Sequence, residues 1–117
     1  MLDLSHKKLI VWSKSIEFVK LIYQLTNTFP SNEKYGLVSQ LRRAAVSIPS
    51  NLSEGAARKS YKERKRFFEI ARSSLVEVDT QIELCLELNY LSSSDIEEFE
   101  KLAIEIFAML SAIITSR

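Results

Sequence analysis

Residues 40–72 read QLRRAAVSIPSNLSEGAARKSYKERKRFFEIAR and decide the fold that we predict for this chain of 117 residues. Apolar side chains recur in the first half of the stretch every three or four positions, at Leu41, Ala44, Ile48 and Leu52. This spacing places them on one face of a helix. The residues around them are mainly alanine, serine and glycine. Because small side chains let another backbone approach closely, we expect this helix to be the most tightly packed element.

The second half of the stretch carries much of the positive charge of the chain. Residues 34–72 contain ten Lys or Arg and three Glu, a net charge of +7. Residues 73–116 contain nine acidic residues and one Lys, a net charge of −8, although the whole chain has a net charge of only +1. The two charges are therefore separated along the sequence, which is the main indication of function.

The composition is that of a single soluble domain spanning residues 1–117. Hydrophobic residues make up 46% and charged residues 26% of the chain, and only two glycines and two prolines are present. So few turn-forming residues favour helices over strands. The lone Cys85 cannot form an internal disulfide, which fits a reducing compartment. Without a signal-peptide pattern or an apolar run of about 20 residues, we predict a cytoplasmic protein that does not enter a membrane.

Four helical segments are predicted, at about residues 7–28, 34–57, 61–90 and 95–115. The first segment has two apolar stripes. One contains Leu9, Trp12, Ile16, Val19 and Tyr23, and the other contains Val11, Phe18, Ile22, Leu25 and Phe29. Two stripes make an unusually wide apolar face. Either both are covered within the monomer, or the second stripe packs on another subunit.

The third and fourth segments repeat the same spacing. The third carries Phe68, Ala71, Leu75, Val78, Ile82, Cys85 and Asn89, and the fourth carries Ile96, Phe99, Ala103, Ile106, Leu110 and Ile113. Four further residues extend the apolar surface of the fourth segment, a second indication of a subunit contact. They are Leu102, Phe107, Met109 and Ile114.

Turn and cap signals separate the segments. Pro30 ends the first, because proline lacks an amide donor and disfavours helix in the residue before it. The predicted helix starts are Ser31 or Asn32 followed by Glu33, then Ser60 with Glu63, and then Ser94 with Glu97. Pro49 removes a hydrogen bond inside the second helix. The predicted fold is therefore an all-α, antiparallel up-down-up-down four-helix bundle whose second helix is kinked at Pro49.

Catalysis is not expected from these residues. The single histidine, His6, lies near the N-terminus, so the Glu-x-x-His motif of di-iron bundles is absent. Cys85 falls in an apolar stripe without a histidine neighbour, which favours core packing. Gly36 and Gly55 are isolated and form no phosphate loop. We predict a protein that is not an enzyme and has no metal, no cofactor and no small-molecule substrate.

Three interpretations of the basic segment stay open. It binds phosphates of RNA or DNA, or it pairs with the acidic segment of another subunit, or it is a solvated face with intrahelical pairs. Those pairs would be Lys59–Glu63, Lys65–Glu69 and Glu69–Arg72. The candidate phosphate contacts are Arg42, Arg43, Arg58, Lys59, Lys62, Lys65 and Arg66.

Three stretches resemble a known family: VWSKSIEFVKLIYQLTNTFP at 11–30, SQLRRAAVSIPSNLSEG at 39–55, and YKERKRFFEIARSSLVEVDTQIELCLELNYLS at 61–92. This family comprises small bacterial four-helix bundle proteins first described as open reading frames in intervening sequences of 23S ribosomal RNA genes. It is related to the accessory variability protein of diversity-generating retroelements. The family motif falls on Gln40, Leu41, Arg42, Arg43, Ala44, Ala45, Ile48, Pro49, Asn51, Glu54 and Gly55.

The resemblance implies an up-down four-helix bundle, assembly into homopentamers, and a nucleic-acid-binding role without enzymatic activity. We therefore predict a non-enzymatic homo-oligomer that binds RNA or DNA backbone, with an association with ribosomal RNA as one form of this role. The alternative is a structural or protein-interaction scaffold whose basic and acidic surfaces pair between subunits.

Overall fold

The computed structural model describes residues 1–116, apart from the side chains of Lys7 and Lys8, and every regular element in that range is helical. The α-helices are α1 (Ile10–Thr26), α2 (Leu37–Ala57), α3 (Tyr61–Glu87) and α4 (Glu97–Thr115). Short 3₁₀ helices at Ser5–Lys8, Ser31–Glu33 and Ser93–Ile96 precede α1, α2 and α4. The predicted all-α four-helix fold is confirmed, in a molecule measuring 44 × 26 × 20 Å.

Each helix packs against two others, so that α1 and α3 both contact α2 and α4. Trp12 Nε1, near the start of α1, donates a hydrogen bond to Ser53 Oγ, near the end of α2, at 3.2 Å. Arg42 Nε, near the start of α2, donates to Thr26 Oγ1 at the end of α1 at 3.0 Å. Neighbouring helices of opposite direction make such contacts. The complete up-down order and the kink at Pro49 stay predictions.

The two stripes of α1 face different surroundings. Phe18 and Ile22 of the second stripe are fully buried in the core of the chain. Tyr23 of the first stripe is 43% exposed, and Ile16 is 36% exposed. The interpretation that the second stripe packs on another subunit is therefore wrong, because this stripe packs into the core of the chain, where the Phe18 ring meets the Phe99 ring of α4. The first stripe is the outward one.

The regular pattern of α3 is confirmed as far as Cys85, and its predicted end is corrected. All the apolar members of the pattern are buried, but Asn89 is exposed and has a φ of 61°, the left-handed conformation that ends helices. The amides of Tyr90 and Asn89 donate to the carbonyls of Cys85 and Leu86 at 2.9 and 3.0 Å. This arrangement is a Schellman motif, so α3 ends at Glu87 rather than at residue 90.

The start of α2 depends on Glu33, not on Ser31 or Asn32. Glu33 Oε1 accepts the Leu37 amide at 3.2 Å, and its Oε2 accepts the Tyr90 hydroxyl at 2.8 Å. This hydrogen bond to the carboxylate raises the pKa of Tyr90. One side chain thus satisfies a free amide of α2 and fixes the α1–α2 turn against the α3–α4 turn. α2 consequently begins at residue 37 rather than 34.

The cap predicted for α3 is confirmed, whereas the cap predicted for α4 is not. The predicted Ser60 cap is confirmed, because Ser60 Oγ accepts the Glu63 amide at 3.1 Å. The predicted pair of Ser94 with Glu97 is replaced by a capping box two residues earlier. There the Asp95 carboxylate accepts the amide of Ser92 at 2.8 Å and its hydroxyl at 3.0 Å, which lowers the pKa of Asp95.

Gly55 of α2 lies in close contact with two phenylalanines of α3. A Cβ atom placed on this buried glycine would lie 2.7 Å from Phe68 Cε1 and 3.0 Å from Phe67 Cβ. Both distances are shorter than an ordinary van der Waals contact. The small residue at Gly55 therefore admits the Phe68 ring and Phe67 Cβ rather than the backbone of α3, and even one methyl group would displace them.

We predict that Gly55→Ala destabilises the protein although alanine is the better helix former. Alanine gains about 1 kcal/mol in helix propensity, whereas overpacking costs about 1–3 kcal/mol, so the free energy of unfolding should fall by about 1 kcal/mol. Urea denaturation followed by circular dichroism measures this change. Ser50→Ala, at an exposed position of α2, is the control and should not destabilise. Equal or greater stability of Gly55→Ala would contradict the packing role.

Candidate nucleic-acid interface

Cys85 is a core residue, as its place in the apolar stripe predicts. Its side chain is fully buried, and burial raises the pKa of the thiol to about 11. The thiol is therefore protonated at neutral pH, the unreactive form. His6 is also buried, with its ring edge-on to Trp12 at a centroid distance of 5.3 Å. No group of three or more potential metal ligands occurs within residues 1–116.

One end of the bundle gathers five of the seven candidate phosphate contacts. The last turn of α2 and the first turns of α3 lie there, beside the start of α1 and the end of α4. The Tyr61 hydroxyl donates to the Ile114 carbonyl at 3.3 Å, which fixes the start of α3 to the end of α4. We call the five candidate residues at this end the basic patch: Arg58, Lys59, Lys62, Lys65 and Arg66.

Four members of the basic patch have no acidic partner. Lys59, Lys62 and Arg66 are exposed, Lys65 is half-buried, and the side chains of these four form no ion pair or hydrogen bond with another described residue. The ion pairs found in residues 1–116 are Lys14–Glu105 and Arg58–Glu54. The three intrahelical pairs suggested by the sequence do not form there, which weakens the interpretation of this surface as a self-neutralised face.

Two arginines shape the connection that carries the patch. Arg58 pairs with Glu54 at 3.2 Å and lies over the Phe67 ring, 4.9 Å from its centroid. Arg64 Nη1 donates to the carbonyls of Arg58 and Lys59 at 3.0 and 2.7 Å. Arg64 thereby satisfies free carbonyls at the end of α2 and holds Lys59 in place. Arg64 is not among the seven candidate residues predicted from the sequence, because its role depends on how α3 folds back onto the end of α2.

The structure does not bring Arg42 and Arg43 into the basic patch. Gln81 of α3 donates to Gln40 of α2 at 3.3 Å, so Arg42 and Arg43 lie level with residues near 78 of α3. That level is about 24 Å along the helix from Lys62, at about 1.5 Å per residue. The predicted surface of seven residues therefore divides into two groups.

Arg42 is occupied by contacts inside the chain. Its guanidinium lies 4.3 Å from the centroid of the Tyr23 ring, and its Nε donates to Thr26 Oγ1. Arg43, the next residue, is exposed and has no such contact. Arg42 therefore joins α2 to the end of α1, whereas Arg43 is free to meet solvent.

Asn51 and Glu54, the unexplained polar residues of the sequence motif, both have partners. Asn51 Nδ2 donates to the carbonyl and the hydroxyl of Ser47, each at 2.8 Å. The Ser47 hydroxyl in turn lies 2.9 Å from that of Ser74 on α3. Asn51 thus orients a polar contact across the α2–α3 seam, and Glu54 pairs with Arg58 of the basic patch.

The acidic segment lies toward the opposite end of the molecule. It forms the second half of α3 and the first half of α4, which meet at the turn around residues 88–96. There the Phe29 and Tyr90 rings pack with centroids 5.3 Å apart, so the α1–α2 turn is at the same end. The separation of charge along the sequence therefore becomes a separation along the long axis.

An apolar groove of about 400 Å³ runs between α3 and α4. Its large exposed apolar side chains are Val76, Ile104 and Phe107, and Ile104 is 70% exposed. The expected apolar surface of α4 is thus confirmed only in part. Phe107 is exposed and Met109 is half-buried, but Leu102 and Ile114 belong to the core.

These features define an all-α four-helix bundle with a basic end. The family model described as 23S rRNA-intervening sequence protein matches residues 7–112, and the chain belongs to this family. A crystal structure of a protein of unknown function from the S23 ribosomal protein family of Bacteroides thetaiotaomicron has the same fold. It is 24% identical, has a TM-score of 0.81, and aligns over 92% of this chain and 100% of its own.

None of the curated proteins matches the chain. Within residues 1–116, no helix is both long enough and apolar enough to cross a lipid bilayer. The family assignment therefore depends on the match over residues 7–112, and the fold assignment is supported by the crystal structure.

We predict that the adjacent arginines Arg42 and Arg43 differ in their effect on stability. Arg42→Ala removes the cation–π contact with Tyr23 and the hydrogen bond to Thr26, so the free energy of unfolding should fall by about 1–2 kcal/mol. Arg43→Ala is the control and should change it by less than about 0.5 kcal/mol. Denaturant titration measures both variants. Equal effects would show that Arg42 does not hold α2 to α1.

Proposed function

We propose that the protein is a non-enzymatic, cytoplasmic homo-oligomer that binds the phosphate backbone of nucleic acid through the basic patch. The observation that carries the proposal is the absence of acidic partners for Lys59, Lys62, Lys65 and Arg66 among the described residues. Cations that are not neutralised within the chain attract polyanions strongly. Arg42 and Arg43 lie outside this patch and are not required by the proposal.

The basic patch itself suits contact with phosphates rather than recognition of base sequence. The patch spans the first turns of one helix and the connection before it, and all of its residues except the half-buried Lys65 are exposed. Flexible Lys side chains bind phosphates as point charges and read no sequence. We therefore expect binding that tolerates many sequences and weakens steeply with salt.

The family description and the name of the structural neighbour favour RNA as the polymer. The first refers to an intervening sequence of 23S rRNA, and the second to a ribosomal protein family. Association with ribosomal RNA is therefore the form of the proposal that deserves the first experiment.

Reversing the charge of the patch should abolish binding. For the variant Lys62→Glu, Lys65→Glu, Arg66→Glu, we predict that affinity for RNA falls by more than tenfold. Replacing the same three residues with glutamine should instead make the plot of log binding constant against log salt concentration less steep. The magnitude of its negative slope should fall by about 2–3, as the loss of three phosphate contacts requires. Fluorescence anisotropy over a salt series measures both quantities.

The control variant carries the same three charge reversals away from the patch, at the exposed residues Lys20, Lys34 and Lys101. It has the same net charge as the patch variant and should retain most of the affinity. If the parent protein shows no salt-dependent binding, or if both variants lose it equally, the proposed function is wrong.

A second candidate is a scaffold in which subunits pair with each other. The large exposed apolar side chains of the groove favour it, because apolar side chains clustered on a surface mark interaction sites. They are Val76, Ile104 and Phe107. The opposite charges at the two ends of the molecule also suit a head-to-tail contact, which closes into a ring. Oligomer formation through the groove and nucleic-acid binding through the patch are compatible.

Ile104→Glu tests the contribution of the groove to assembly. Because Ile104 is 70% exposed, the change should leave the helical circular dichroism unchanged and lower the mass measured by light scattering to that of a smaller species. Val46→Glu, an exposed apolar residue of α2 outside the groove, is the control and should keep the parental mass. A parental mass for Ile104→Glu would exclude this face from the subunit contact.

A further inference from the structure

A second groove opens beside the basic patch, between the first two turns of α3 and the last turn of α4. Its volume is about 390 Å³, and its lining includes Tyr61, Arg64, Lys65, Phe68, Ala112 and Ile113. The hydrogen bond from the Tyr61 hydroxyl to the Ile114 carbonyl joins its two walls, α3 and α4. We call it the end groove. Its volume lies at the lower end of the range found for small-molecule sites.

The end groove combines an apolar floor with a cationic rim. Phe68 is buried beneath it and Ile113 is half-buried, so both present carbon surface to whatever enters. Lys65 stands at the rim without an acidic partner, and Lys62 lies one turn away on the same helix. A ligand that matches both parts has a ring with apolar faces and an anionic group a short linker away.

We propose that the end groove accepts one unstacked base of a single-stranded nucleic acid whose phosphates lie on the basic patch. This inference rests on the proposed function and assigns its substrate class. Lys65 belongs to both surfaces, so a strand bound to Lys62 and Arg66 passes the mouth of the groove. The base would be transferred from water to the apolar lining of the groove, while its phosphate stays in contact with a cation of the basic patch.

The proposal distinguishes single strands from duplexes. In a duplex each base is stacked and paired, and entry into a protein groove requires it to be flipped out at a cost in stacking and pairing energy. A single strand presents its bases without that cost. The patch alone would bind both forms, so the groove is the element that would favour the single strand.

The test compares a short fluorescent RNA strand with the same strand annealed to its complement, at one fixed salt concentration. The parent protein should bind the single strand about tenfold more tightly, the usual effect of one well-placed base contact. Ala112→Leu fills the groove from an exposed position of α4 and should remove that preference while leaving duplex affinity unchanged.

Two control variants isolate the groove. Ala112→Ser keeps the groove open and should behave as the parent. Ala108→Leu makes the same substitution one turn earlier on α4, where the exposed residue lines the apolar groove instead, and should also keep the preference for the single strand. Circular dichroism checks that all three variants keep the helical content of the parent.

The failures of the two proposals are distinguishable. If RNA binds with salt dependence but equally in both forms, or if Ala112→Leu lowers both affinities equally, the end groove binds no base and the proposed function stands. If neither form binds, both proposals fail. Binding to vesicles of anionic lipid without binding to RNA would also overturn both, since an anionic lipid headgroup would then be the ligand of this end.

Discussion

The close contact between α2 and α3 at Gly55 positions the charged end of this molecule. Without a side chain at Gly55, the Phe68 ring lies against the backbone of α2, and α3 can turn back at once after Ser60. Arg64 then reaches the free carbonyls at the end of α2. The short connection that carries Lys59 is therefore held by packing on one side and by hydrogen bonds on the other.

The charge distribution of α3 works against the stability of that helix. Basic residues in its first turns and acidic residues in its second half oppose the helix dipole, at a cost of a few tenths of a kcal/mol for each exposed group. Ion pairs do not recover this cost for Lys59, Lys62, Lys65 or Arg66 within the described chain. A polyanion bound at this end would compensate it, which is why nucleic acid is the proposed partner.

The faces of the helices could be predicted from the sequence, but much of the candidate site could not. The spacing of Phe68, Leu75 and Ile82 indicated the buried side of α3 correctly, because a face of a helix depends only on local periodicity. The sequence could not show which of the two stripes of α1 is buried, since both have the same period. Arg42 and Arg43 seemed to belong with Lys62 because sequence alone gives no register between helices.

The sequence by itself determined the number of helices, the buried face of α3 and the separation of charge, because each follows from the local order of residues. Only the tertiary structure decided which cations lie together. It also decided that Glu33 rather than Ser31 or Asn32 starts α2, and that a groove opens beside Lys65. The physical reason is that the grouping of the cations, the groove and the contact between Glu33 and Tyr90 join residues far apart in the chain, whose distances are set by the packing of whole helices.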